Sequence, residues 1–476
     1  MKTIFIATLC CISLACASVI IKADDVDLDE EEYKRQFGTF NIESLVKGFG
    51  YPFEKHSVTT KDGYILEIHR VQYSPSNDKT DNRPPVLVMH GLLGSSADFF
   101  HIGPGKSLPL RLADVGYDVW VGNNRGNTWS TKHQTLNPSK NETFWDFGLD
   151  ELGSFDSPAI IDYILNQTKT KQLSLVGHST GASQFFMMLA SKPEYNKKVK
   201  VMTALGPVVY LKHTTSILLD LVNSKDYVAI LAVEKKLKSK QFLTRSLILD
   251  IGLGVVCKAG SKFIGICEAV LFLLQGFDTK ELSKELTEKF YKTFPAGTSI
   301  KELNHVLQAR VSGEFRHFDY GIGNLDIYNE PTPAPYKLSK VSVPVGIFYG
   351  KNDLIVSKTD IGRLASELQN VVENYQIEYP QFNNLDFLLA KDVDSLANVY
   401  IINTLNTYNG FAPIPTTTTT STTDSSTSST DSSTTTTAES SSTENPTTDS
   451  SSLLTPSSFV VAQLLLGLSI FQYYFK

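Results

Sequence analysis

Histidine is scarce. The chain has nine and none beyond His317, so a reaction that takes its imidazole base from the last third of the chain has no source for it. Basic residues do not predominate either. Lys and Arg number 44 against 50 Asp and Glu, a net charge of −6, which argues against a nucleic-acid partner. Cysteine is sparse, with five in all, of which only Cys257 and Cys267 lie beyond residue 16. That is too few for a disulfide-built scaffold. From residue 415 to about 458 apolar side chains nearly vanish, and such a stretch cannot offset the entropy of ordering.

Both ends read as processing and targeting segments. Lys2, an apolar run over residues 4–14 and Ala15-Cys16-Ala17 form a secretory signal over 1–17. As a membrane anchor the run is too short. Losing Lys2 makes the mature chain one unit more negative. An acidic leader covers 18–40. At the other end, 411–458 is a Ser/Thr-rich stalk of O-glycosylated composition. Residues 459–476 form an apolar tail closing on Lys476, and with small residues near 449–452 they fit a glycosylphosphatidylinositol signal. A single spanning helix is the alternative, but the stretch is slightly short and no basic cluster follows it. Two N-x-T sequons, at Asn141 and Asn166, suit a secreted surface. In that compartment Cys257 and Cys267, ten apart, suggest one disulfide closing a small loop, with two buried free thiols as the alternative.

The body exceeds the usual size of a single core, so a domain with a large insertion is expected. Residues 59–69 read as a hairpin around Lys61-Asp62-Gly63. Short apolar runs at 86–89, 117–121, 173–176, 201–205 and 345–349 suit strands covered on both faces. Helical patterns at 157–165 and 182–190 lie between them. This alternation predicts an α/β fold, a mostly parallel sheet with helices on both faces. Its core spans 41–210 and 339–410. Residues 211–338 break the rhythm with helical patterns such as 216–222 and 263–274, read as a cap inserted between two late strands. Apolar stripes there are ordinary cap packing or, in part, the lining of an acyl-chain groove.

Gly177-His178-Ser179-Thr180-Gly181 follows one apolar run and precedes a helical one. A G-x-S-x-G on a strand-to-helix turn is a nucleophile elbow, with Ser179 as the nucleophile. His90-Gly91-Leu92 ends an earlier strand. The backbone N–H groups of Leu92 and Thr180 are candidate oxyanion donors, and His90 braces the loop. Asp353, just past the strand at 345–349, stands where the carboxylate that orients the base belongs. An ordinary turn aspartate is the alternative.

These elements resemble the acid lipases, the family of gastric and lysosomal acid lipase. The resemblance covers about residues 42–408, and it is carried by His90-Gly91-Leu92-Leu93, by the stretch from Asp118 to Ser130 that includes Asn123-Asn124-Arg125-Gly126-Asn127, by Gly177-His178-Ser179, by Pro295-Ala296-Gly297-Thr298-Ser299 and by Phe318-Asp319-Tyr320-Gly321. It implies an α/β-hydrolase core, a cap over the site, and hydrolysis of acylglycerols or sterol esters without cofactor or metal. It also implies a Cys257–Cys267 bridge. The family commonly has Gln where Thr180 stands, a change that leaves the backbone donor intact. The larger departure is Asn383-Asn384-Leu385-Asp386-Phe387, where the family usually reads Asn-His-Leu-Asp-Phe and the His is the general base. Asn384 cannot accept a proton near neutral pH. Loss of the base lowers kcat on the order of 10⁶-fold and leaves about 10³–10⁴ over water. His178 belongs to the family motif and points into packing. His305 or His317 would reach Ser179 only if the cap folds unusually. The expectation is a surface-anchored lipase relative with impaired catalysis, or a non-catalytic protein whose ligand is a lipid or lipid ester.

Overall fold

The computed structural model describes residues 40–77, 82–216, 219 and 240–416. The signal, almost all of the acidic leader, the stalk beyond residue 416 and the apolar tail lie outside the described residues, as does nearly all of the helical pattern at 216–222.

Nine strands form one sheet: β1 Glu54–Thr59, β2 Tyr64–Val71, β3 Pro85–Met89, β4 Asp118–Val121, β5 Lys132–His133, β6 Leu173–His178, β7 Val199–Leu205, β10 Val345–Tyr349 and β11 Val371–Gln376. Their order is β1-β2-β4-β3-β6-β7-β10-β11, with β5 paired to β2. The pairs from β4 to β11 are parallel, while β1, β2, β4 and β5 meet antiparallel. The Thr60–Gly63 turn joins β1 and β2 as a hairpin, closed by the Gly63 N–H on the Thr60 carbonyl at 3.0 Å. A separate two-residue ladder joins β8 Gln241–Phe242 to β9 Thr298–Ser299.

The central strands are buried along their whole length, as a parallel sheet covered on both faces requires. Their side chains alternate between two cores. Leu87, Met89, Trp120 and Leu175 pack with Ile160, Ile161 and Phe185. Val86, Val88, Val119 and Val176 pack with Leu110, Leu112, Ile401 and Leu405. Four helices supply these partners: α1 Leu108–Val115, α2 Ser157–Thr168, α3 Thr180–Ser191 and α9 Val399–Asn409. A one-residue slip in any central strand would exchange the two faces, so register is strongly determined.

Between β7 and β10 the chain leaves the sheet. There it forms α4 Leu247–Val256, α5 Ile264–Gln275, α6 Lys284–Tyr291 and α7 Ile300–Ser312, before returning to β10 and to α8 Lys358–Glu367. Cys257 and Cys267 are joined by a disulfide between α4 and α5. Among the described residues no helix is long and apolar enough to cross a membrane.

Candidate active site

The elbow is built from glycines and strain. Ser179 sits between β6 and α3 at φ 55°, ψ −121°, outside the regions open to most side chains. The turn closes so tightly that a Cβ on Gly177 would lie 2.5 Å from the Ala182 Cα, and one on Gly181 2.5 Å from the Met89 carbonyl oxygen. Ladder bonds of the sheet and a bond from the Ser179 N–H to the Leu205 carbonyl at 2.8 Å hold the strained residue in place.

The loop after β3 passes directly over this turn. A Cβ on Gly91 would meet the Ser179 Cβ at 2.8 Å, so Leu92 follows immediately beside the serine. Thr180 is the first residue of α3, where backbone N–H groups have no intrahelical acceptor. His90 is buried. Its Nδ1 meets the Gly91 carbonyl at 2.8 Å, and its Nε2 accepts from the Asn124 N–H at 3.1 Å. This pattern needs the neutral ring, and burial holds its pKa down at about 4. His90 therefore spans two loops of the site and has no lone pair left for a proton.

Asp353 follows β10. Its Oδ1 accepts from the Ile355 and Val356 N–H groups at 2.8 and 2.9 Å, and its Oδ2 from the Asn384 Nδ2 at 2.9 Å. No cation pairs with it among the described residues, and burial pushes its carboxyl up to about 6. Asn384 spends its second amide proton on the Gly206 carbonyl at 3.0 Å. Both of those partners accept only, which sets the amide's orientation. The Asn384 Oδ1 is left buried without a hydrogen bond, so it accepts none from Ser179.

An asparagine Nδ2 lies about where a histidine Nδ1 would. Asn384 thus preserves the N–H donated to the carboxylate and lacks the distal nitrogen that would take a proton. The pocket accepts this side chain closely. A Cβ on Gly206, which has φ +51°, would come within 2.1 Å of the Asn384 Nδ2 and 3.4 Å of the Asp353 Oδ2.

The nine histidines all fall within the described residues, and each is engaged away from the serine. His178 is buried against Phe99 and Phe387, with Nε2 on the Asn384 backbone carbonyl at 2.9 Å. Burial lowers its pKa to about 4. His305 meets the Arg316 carbonyl at 2.9 Å, and His317 lies 3.4 Å from Asp150. His56, His69, His101, His133 and His213 bond Tyr163, Ser96, Thr293, Asp62 and Asp360. The partners of His305 and His317 are Arg316 and Asp150, not Ser179.

Sequence reasoning passed over three participants. Gly206 carried only the signal of a glycine after a strand. Asn352 and Asn383 stood only as the neighbours of Asp353 and Asn384, with no role of their own. The tie from His178 to the Asn384 backbone joins segments 206 residues apart, which no local pattern reveals. Asn141 and Asn166 are both exposed.

Comparison with known proteins agrees with this geometry. The family described as the partial alpha/beta-hydrolase lipase region matches residues 42–103, and the alpha/beta hydrolase fold family matches 84–381. Lipase 3 of Drosophila melanogaster is 37% identical over 365 residues, covering 75% of this chain and 91% of that protein. Gastric triacylglycerol lipase of Bos taurus is 36% identical over 362 residues, covering 75% and 89%. The human gastric triacylglycerol lipase is 36% identical over 357 residues, covering 74% and 88%. With this likeness spread over nearly the whole folded body, and with the elbow and sheet described above, the chain belongs to the acid lipase family of α/β-hydrolases.

Proposed function

We propose that this chain is a neutral-lipid esterase by descent whose Ser179 has lost its general base, so that it binds lipid esters and turns them over far more slowly than a working lipase. Ser179 is the nucleophile, Asp353 the carboxylate and Asn384 the occupant of the base position, with Leu92 and Thr180 N–H groups as oxyanion donors. One observation carries the reading. Among the described residues, the one side chain joined to Asp353 is an amide that donates to it and has no basic nitrogen, while all nine imidazoles are committed elsewhere. A serine hydroxyl with no acceptor for its proton attacks a carbonyl poorly, and the leaving alkoxide finds no acid. What persists is ground-state binding and the oxyanion donors, consistent with a residual role in holding a lipid or lipid ester.

The setting proposed for this site is the outer face of the plasma membrane. Support comes from the signal at 1–17, the exposed sequon asparagines Asn141 and Asn166, the Cys257–Cys267 disulfide, the Ser/Thr stalk and the terminal apolar tail. The tail's composition favours a glycosylphosphatidylinositol anchor. Release from cells by a phosphatidylinositol-specific phospholipase is the expected result, and retention after treatment points to a spanning helix.

The decisive assay is ester turnover by the secreted ectodomain, residues 18 to about 440, with short- and long-chain substrates from acid to neutral pH, repeated with Asn384→His. Slow residual turnover by the wild type and much faster turnover by the variant are expected. Wild-type turnover at the rate of an ordinary lipase would falsify the proposal.

A further inference from the structure

The segment linking α5 to α6 lies against the two loops that carry Asp353 and Asn384. Three consecutive carbonyls of this strap are taken by residues adjoining those two positions. Leu354, just after Asp353, donates its N–H to the Gln275 carbonyl at 3.1 Å. Asn383, just before Asn384, donates Nδ2 to the Gly276 carbonyl at 3.1 Å. Asn352, just before Asp353, donates Nδ2 to the Phe277 carbonyl at 2.9 Å. The end of a helix leaves carbonyls without intrahelical donors. The Gly276 N–H caps the Phe272 carbonyl at 2.9 Å from within the helix's own chain, while the last helical carbonyl, Gln275, and the two that follow it take their donors from the core loops.

The contact leaves no slack. Gly276 has φ +129°, and a Cβ there would lie 2.2 Å from the Asn352 carbonyl oxygen and 3.1 Å from the Asn383 Cβ. The two loops also press on each other, since the Asn352 N–H donates to the Phe382 carbonyl at 3.0 Å and a Cβ on Gly350 would meet that oxygen at 2.1 Å. Further along, the Tyr379 hydroxyl donates to Asp278 at 3.1 Å and the Asp392 N–H to Glu281 at 2.9 Å. The strap is thus attached to the core at both ends of its length.

We propose that residues 275–278 are a latch through which the cap holds the Asp353 and Asn384 loops in register, with Asn352 and Asn383 as positioning residues. The assignment rests on the reading that Ser179, Asp353 and Asn384 form the site. Cap displacement at this strap therefore unseats the carboxylate and its partner together, and a seated cap sets both. Neither asparagine touches substrate in this scheme.

The test uses Asn352→Ala and Asn383→Ser. Serine at 383 still offers an oxygen to the Leu385 N–H, which Asn383 now satisfies at 2.8 Å, but is too short to reach Gly276. Amide hydrogen exchange on the secreted ectodomain reads the latch without any turnover. Each variant is expected to speed exchange about tenfold in both loops, residues 350–356 and 382–389, with the β1–β2 hairpin unchanged. In an Asn384→His background each is expected to lower kcat on the order of 10- to 100-fold with KM little altered. Faster exchange at the strap alone, or a fall in melting temperature with kcat intact, overturns the latch. Coupled exchange in a chain that stays inert with Asn384→His upholds the latch and removes the lost-base reading instead.

Discussion

Two aspartates, Asp150 half-buried and Asp353 buried, show what a histidine partner does. Asp150 has His305 and His317 beside it and accepts from the Phe318 N–H at 2.9 Å and from the Tyr336 hydroxyl. Burial would raise its carboxyl, but the two imidazoles, first among the opposing causes, hold it well below the usual carboxylate range. Asp353 is the more enclosed of the two; its polar partners are two backbone N–H groups and an amide, and its carboxyl stays high, at about 6. The chain therefore does not lack histidine beside an enclosed acid; it lacks one at Asp353. A neutral donor satisfies a carboxylate's geometry without supplying its charge.

The strongest way to break this contrast is to give Asp353 its own imidazole. Asn384→His is expected to raise ester turnover by at least about 10³-fold, against a ceiling on the order of 10⁶-fold set by the cost of losing a base. Steady-state kinetics check it, and Ser179→Ala in the same background should abolish the gain. Next in size, Asp353→Asn in the Asn384→His background is expected to lower kcat about 10⁴-fold, because the installed ring loses its tautomer and orientation.

The other aspartate can be stripped instead. Replacing His305 and His317 by Ala leaves the half-buried Asp150 without its two imidazole partners, and should lower unfolding free energy by about 1–2 kcal/mol at pH 5.5. Asp150 has a depressed folded pKa, so its contribution is present above the unfolded value of about 3.9 and fades as pH falls below it. Chemical denaturation should show the gap closing in that range. The smallest effect concerns Asp386, a buried acid pushed well above the usual carboxylate range by desolvation, and then by Asp278, Glu281 and Asp353. Its folded state prefers the proton, so the penalty is absent in acid and grows as pH rises from about 4 toward its folded value. Asp386→Asn should accordingly raise the melting temperature by a few degrees at pH 7.5 and leave it unchanged at pH 4.

Much of the fold was legible along the chain. The apolar runs at 86–89, 173–176 and 345–349 became β3, β6 and β10, and the helical pattern at 263–274 became α5. Burial on both faces imposes continuous apolar character, which a linear reading detects. The elbow was equally legible, because its glycines answer a steric demand that depends on immediate neighbours. The same holds for the asparagine at 384: a missing side-chain nitrogen is a matter of composition, and no folding restores it.

What the chain by itself determined is the architecture, the strained serine and the absence of a base among its last residues. Only tertiary structure decided where the nine imidazoles went, that the Asn384 amide turns its donor to Asp353, and that the strap of α5 grips both loops. Those outcomes depend on contacts between segments far apart in sequence, where hydrogen-bond satisfaction and close packing select one arrangement from many. Local patterns carry no record of that selection.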